Sequence, residues 1–114
     1  MKVQIKVTDQ MIEDTLISGF EGGSNYWLQI RNDKTPMGRN YIKTLMNKGL
    51  AVEDQTTGKQ YLLTKAKVMR GVKLMAQSGN DTQHHFYKMV FNEGDAITGD
   101  VLLQFSILGE CLYG

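Results

Sequence analysis

At 114 residues, 41% hydrophobic and 22% charged, the chain is too short for two ordinary domains and too apolar for wholesale disorder. A formal net charge of +1 excludes both a strongly basic nucleic-acid binder and an acidic mimic of nucleic acid. One cysteine, Cys111, cannot form an internal disulfide, and Met1 to Ile5 opens without the apolar run of a signal peptide or membrane span, so a cytosolic protein without membrane contact is expected.

Lys2 to Val7 alternates polar and apolar residues, which predicts a half-buried strand over Val3–Val7. Thr8-Asp9 opens a helix whose stripe is Ile12, Leu16 and Phe20, stopped by Gly22 or Gly23. Tyr26 to Arg31 reads as a second strand. Thr35-Pro36 resembles an N-cap followed by proline in the first turn, starting a helix to Gly49 with Tyr41, Ile42, Leu45 and Met46 on its apolar face. Leu50 to Glu53 and Lys59 to Leu63, joined by Gln55-Thr56-Thr57-Gly58, make a hairpin.

From the N-cap candidate Thr64 a helix reaches Gln77, with Val68, Met69, Val72, Met75 and Ala76 on one face and Lys67, Arg70 and Lys73 on the other. His84 to Asn92 fits a helix better than a strand, with Asp81 to cap it and Gly94 to end it. The last helix, Thr98 to Leu108, is apolar on two sides: Val101, Phe105 and Leu108 on one, Leu103 and Ile107 nearly opposite. The expectation is a single α+β domain over residues 1–114, a small antiparallel sheet covered by three to five helices, with the C-terminal helix buried on two sides. In so small a chain the second face is expected to meet a partner subunit, which makes Leu103 and Ile107 the candidate oligomer interface.

Candidate binding residues fall in two groups. Glu21-Gly-Gly-Ser-Asn-Tyr-Trp27 sets two glycines beside Asn25, Tyr26 and the only tryptophan. An amide and two flat rings are what a nucleobase site needs, and equally what a helix-to-strand corner needs with Trp27 as core anchor. Lys67, Arg70 and Lys73, with Arg39 and Lys43 on another helix, could hold phosphates. Solvation is the ordinary explanation of such a face, but no acid at i, i+4 supports it. His84-His85 cannot share one face and lacks further ligands at zinc spacing, so no metal or cofactor is expected. Cys111 has no base in its local sequence and is expected as a buried thiol. Asp95, Asp100 and Glu110 are expected as helix-end and solvated acids, and no catalytic motif suggests an enzyme.

The element from Glu21 to Trp27, with Gly99-Asp-Val-Leu-Leu-Gln104 and Leu108-Gly-Glu-Cys-Leu-Tyr-Gly114, resembles a family of small tailed-phage and prophage proteins carrying an EGG-x-NYW element and a D-x-x-x-Q…GE-x-x-YG tail. The resemblance covers the frame of the chain and leaves Asn32 to Lys48 and Ser78 to Glu93 unmatched. It implies an accessory protein acting in the host cytoplasm and implies no reaction. The expected function is therefore anti-defence binding without catalysis: an oligomer that sequesters a phosphorylated nucleotide immune signal. The alternative is an inhibitor, anti-CRISPR-like, that blocks a host defence or replication protein.

Overall fold

The computed structural model describes residues 6–31, 40–79 and 81–114. The expected strand Val3–Val7 lies mostly outside them, and its last two residues, Lys6 and Val7, are not in a strand. The start of the Thr35-Pro36 helix and Arg39 also lie outside them.

Helix α1 spans Asp9–Ser18 and begins as the sequence predicts, with the Thr8 hydroxyl accepting from Met11 N at 3.2 Å. It runs into one π-helical turn, Gly19–Gly23. Strand β1 is Leu28–Ile30, shorter than expected because Tyr26 and Trp27 belong to the turn before it. Helix α2 (Asn40–Asn47) buries Tyr41, Ile42 and Leu45. Strands β2 (Leu50–Asp54) and β3 (Gln60–Leu63) form the predicted hairpin. The sheet is antiparallel in the order β1-β2-β3, with Leu28 opposite Asp54 and Leu50 opposite Leu63.

Helix α3 (Lys65–Gln77) is capped by Thr64, whose hydroxyl accepts from Lys67 N at 3.3 Å. Val68, Gly71, Val72 and Met75 are buried, whereas Met69, expected on that face, is 42% exposed: it sits on the solvent side of the buried stripe. Helix α4 (Gln83–Val90) follows; its N-cap is Thr82, so Asp81 does not serve as the cap. Helix α5 (Ala96–Leu108) starts two residues earlier than expected, because Asp95 accepts from Thr98 N at 2.9 Å. These elements make an α+β fold, and among the described residues no helix is long and apolar enough to cross a membrane.

Every residue of α5 from Thr98 to Ile107 is buried. Its neighbours are α3, the π turn, α1, α4 and β3, so it is the axis of the fold. That corrects the interface expectation. Leu103 is fully buried and Ile107 is 6% exposed within the protein's own core, so neither side chain is offered to a second copy. The second apolar side is covered by the chain itself.

Close approach makes this packing possible. A Cβ on Gly23 would overlap the Ala96 carbonyl, and one on Gly19 would stand 2.6 Å from Leu103 Cδ1 and 2.8 Å from Gly99 O. On the other side of α5, a Cβ on Gly71 would reach within 2.8 Å of Ser106 N. Residues without side chains let the π turn and α3 lie directly on the α5 backbone.

Candidate functional site

The π turn delivers residues 24–27 onto one acidic side chain. Asp100, expected as a solvated acid, is 7% exposed and accepts four hydrogen bonds. Ser24 Oγ and Trp27 Nε1 donate to Oδ1 at 2.8 and 2.7 Å; Tyr26 OH and Gln104 Nε2 donate to Oδ2 at 2.6 and 3.2 Å. Burying a carboxylate is tolerated when its lone pairs are filled in this way.

Gln104, fully buried one turn along α5, carries the network outward. Its Oε1 accepts from Leu112 N and Tyr113 N, both at 2.8 Å, and its Nε2 donates to Tyr113 O at 3.1 Å. Tyr113 lies over Trp27 with ring centroids 5.3 Å apart, and its hydroxyl donates to Asp54 Oδ2 at 2.6 Å. Asp54 is 1% exposed and also accepts from Thr56 N at 2.9 Å and from the Thr56 hydroxyl. Burial alone would raise the Asp54 carboxyl; the bonds from Thr56, Tyr113 and the Thr56 and Thr57 amides outweigh it and hold the group below its usual value.

Of the two readings of Trp27, the structure shows the core anchor and not the stacking ring. The indole is fully buried between Asp100 and Tyr113, so it has no face free to stack a base. Tyr26 is 52% exposed, but its hydroxyl is committed to Asp100. Burial, then the hydrogen bond to Asp100 and its charge, push the phenol far above its ordinary range. Cys111, expected buried, lies exposed, with its sulfur turned toward Tyr113 O at 4.0 Å. Burial of the sulfur and the Asp100 charge push the thiol up, away from the reactive thiolate.

The other predicted residues do not converge on this corner. Asn25 is exposed and lines a groove of about 280 Å³ with Phe20, Gln29 and Gln55; among the described residues that line it, none is a cation. Lys43 borders a different depression, about 190 Å³, beside Gln10 and Glu13. Lys67 Nζ donates to the Leu62 carbonyl at 2.8 Å. Arg70 and Lys73 point outward from α3, and among the described residues neither joins an ion pair; the three pairs there are Arg31–Glu53, Lys65–Asp9 and Lys88–Asp95.

The charge on α3 opposes helix electrostatics. Lys65 and Lys67 occupy its first turn, where the dipole favours acids, and no acid occurs along the helix. Lys67, Arg70 and Lys73 follow at i, i+3 spacing, and each like-charged pair of this kind costs about 0.2–0.5 kcal/mol. Nothing in the packing of α3 requires this arrangement, since its buried side is held by Val68, Gly71, Val72 and Met75.

His85 is also buried, with Nδ1 2.9 Å from Thr98 Oγ1. Thr98 Oγ1 donates to Asp95 Oδ1 at 3.1 Å, which leaves it to accept from the imidazole. Burial, followed by the charges of His84 and Lys88, lowers the His85 pKa. Among the described residues no three His, Cys, Asp or Glu side chains come together as a ligand set.

Sequence reasoning missed Asp54, Asp100, Gln104 and Tyr113 as one system. The available signal was an acid inside an otherwise apolar helix, one turn from a glutamine. No protein-family model matches the chain, and no curated protein or solved structure matches it either.

Proposed function

We propose that the protein is a non-catalytic accessory factor of phage type, acting in the host cytoplasm by occupying a host defence or replication protein. The observation that carries this choice over nucleotide sequestration is the complete burial of Trp27. Tyr26 and Trp27, the two rings that suggested a base cradle, are bonded to Asp100, beside the Gln104 that holds residues 112 and 113 against the core. Of the cations that would hold phosphates, Lys67, Arg70 and Lys73 lie on α3 and Lys43 on α2, and none of these four lines the groove at Asn25. A non-catalytic role is supported by the chemistry of the same corner. Tyr26 and Cys111 are held protonated, and the Asp100 lone pairs are filled.

The test is thermal unfolding with mononucleotides, dinucleotides and cyclic nucleotides at millimolar concentration. No shift is expected. A ligand at about one hundred times its dissociation constant would add about 2.7 kcal/mol, so a saturable rise of several degrees would restore the sequestration reading. Tagged protein recovered from host cytosol should in turn elute in gel filtration as a stoichiometric complex with one host protein. Elution of the protein alone, with no host protein in the peak, counts against the blocking reading.

A further inference from the structure

We infer that the outward face of α3 is the docking surface, and that it takes a partner segment in which acidic side chains surround one large apolar residue. This rests on the binding reading above and names the chemistry of its partner.

Three observations converge on this face. Arg70 and Lys73 are exposed and lack ion-pair partners among the described residues, so their charge is available to a second molecule. Met69 stands among them, 42% exposed, one turn from both Lys65 and Lys73. A flexible, polarizable thioether adapts to an apolar side chain without a preformed pocket. The opposite side of α3 is fixed directly on α5 at Gly71 and Ser106, so the face is presented on a rigid support. Complementary charge around an apolar anchor steers encounter and fixes register, while the anchor supplies the desolvated contact.

The dimensions fit a short element. Lys65 to Lys73 spans about 12 Å along the helix axis, roughly two turns of a partner helix. Nucleic acid fits less well. A phosphate backbone asks for an uninterrupted row of cations, whereas here Met69 breaks the row and the net charge is only +1. Lys65 is relieved by Asp9, but the like charges of Arg70 and Lys73 meet no acid among the described residues, the kind of departure from stability that marks a binding surface.

The experiment uses the whole protein and three labelled probes followed by fluorescence anisotropy. Two are acidic helical peptides of equal charge, one with a central leucine and the other with alanine in its place. The third is a short DNA duplex. The leucine peptide should bind saturably and more tightly than the alanine peptide. Arg70→Glu with Lys73→Glu should weaken it by at least about tenfold. Met69→Ala should remove the difference between the two peptides. Lys43→Glu with Lys48→Glu, the same change of charge on α2 and in the turn that follows it, should leave binding unaltered. Unfolding midpoints, recorded for every variant, should match the parent because these side chains are exposed; Arg70→Gln with Lys73→Gln serves as the milder pair. Absence of saturable peptide binding, equal loss in the α2 control, or tighter binding of the duplex would each overturn the assignment. The nucleotide melts judge the parent reading separately, so failure of the peptides with flat melts removes this surface alone.

Discussion

Asp100→Asn is the sharpest probe of the central network because it changes almost no volume. In the native corner both carboxylate oxygens accept two donors each, from Ser24 and Trp27 at Oδ1 and from Tyr26 and Gln104 at Oδ2. An amide can keep its oxygen toward Ser24 and Trp27 only by turning its NH2 toward Tyr26 and Gln104. The Tyr26 hydroxyl can rotate and accept. Gln104 cannot, because reversing its amide would break its bonds to Leu112 N and Tyr113 N. One donor is thus left facing another, and the remaining bonds fall from charged to neutral strength. Bonds to charged groups contribute about 1.5–3 kcal/mol against about 1 for neutral ones, and a buried orphan costs about 1–3, so the loss should be about 3–5 kcal/mol. In a domain of this size that lowers the melting temperature by about 10–20 °C. Urea unfolding, followed by the fluorescence of the single tryptophan, should show a lower midpoint with unchanged slope. A variant within about 1 kcal/mol of the parent would refute the four-donor description of the site.

Three further predictions concern packing and pH. Gly71→Ala forces a methyl group to within 2.8 Å of Ser106 N and should cost about 1–3 kcal/mol in urea unfolding, whereas Gly79→Ala, with nothing within 4 Å, should be neutral. His85 is held neutral by burial, with a folded pKa below 6.5. The unfolded chain therefore takes up its proton first, and stability should fall as pH drops from 6.5 toward the folded value; His85→Asn should flatten that limb in pH-dependent melts. Asp54 and Asp95 have lowered folded pKa values, Asp95 at about 2 through the Thr98 amide first. Their contribution is complete above 3.8 and is lost as pH falls through the folded values; Tyr113→Phe, by removing a bond to Asp54, should make that acid limb shallower.

Much of the fold was legible because local rules and tertiary packing agree. Thr8 and Thr64 cap the helices that their sequence positions predict, and Gln55 to Gly58 closes the hairpin. The corner was not legible, because its partners meet across 73 to 76 residues of chain. On composition alone Asp100 is an exposed acid, as most aspartates are, and only the four donors make its burial tolerable. A strand from Tyr26 to Arg31 would divide Tyr26 and Trp27 between solvent and core. They are so divided, but in a turn before β1, with both polar atoms drawn to the same carboxylate. For α5, apolar character all round was visible; which elements cover it was not, since periodicity cannot tell a subunit contact from a helix wrapped by its own chain.

The residues behind the phage-protein resemblance largely satisfy one another. Ser24, Tyr26 and Trp27 bond to Asp100, and Gln104 holds Tyr113, which returns to Trp27. A motif that turns inward in this way constrains the scaffold, because losing one member leaves a buried donor or acceptor unpaired. It places no comparable demand on Met69, Arg70 and Lys73, which face outward and could be exchanged with little effect on folding. Chains sharing the inward set would keep this corner and the α5 axis while remaining free to differ on α3. The outward face is therefore where the partner of this chain would be specified, and charge reversal at Arg70 and Lys73 separates binding from stability as Trp27 substitutions cannot.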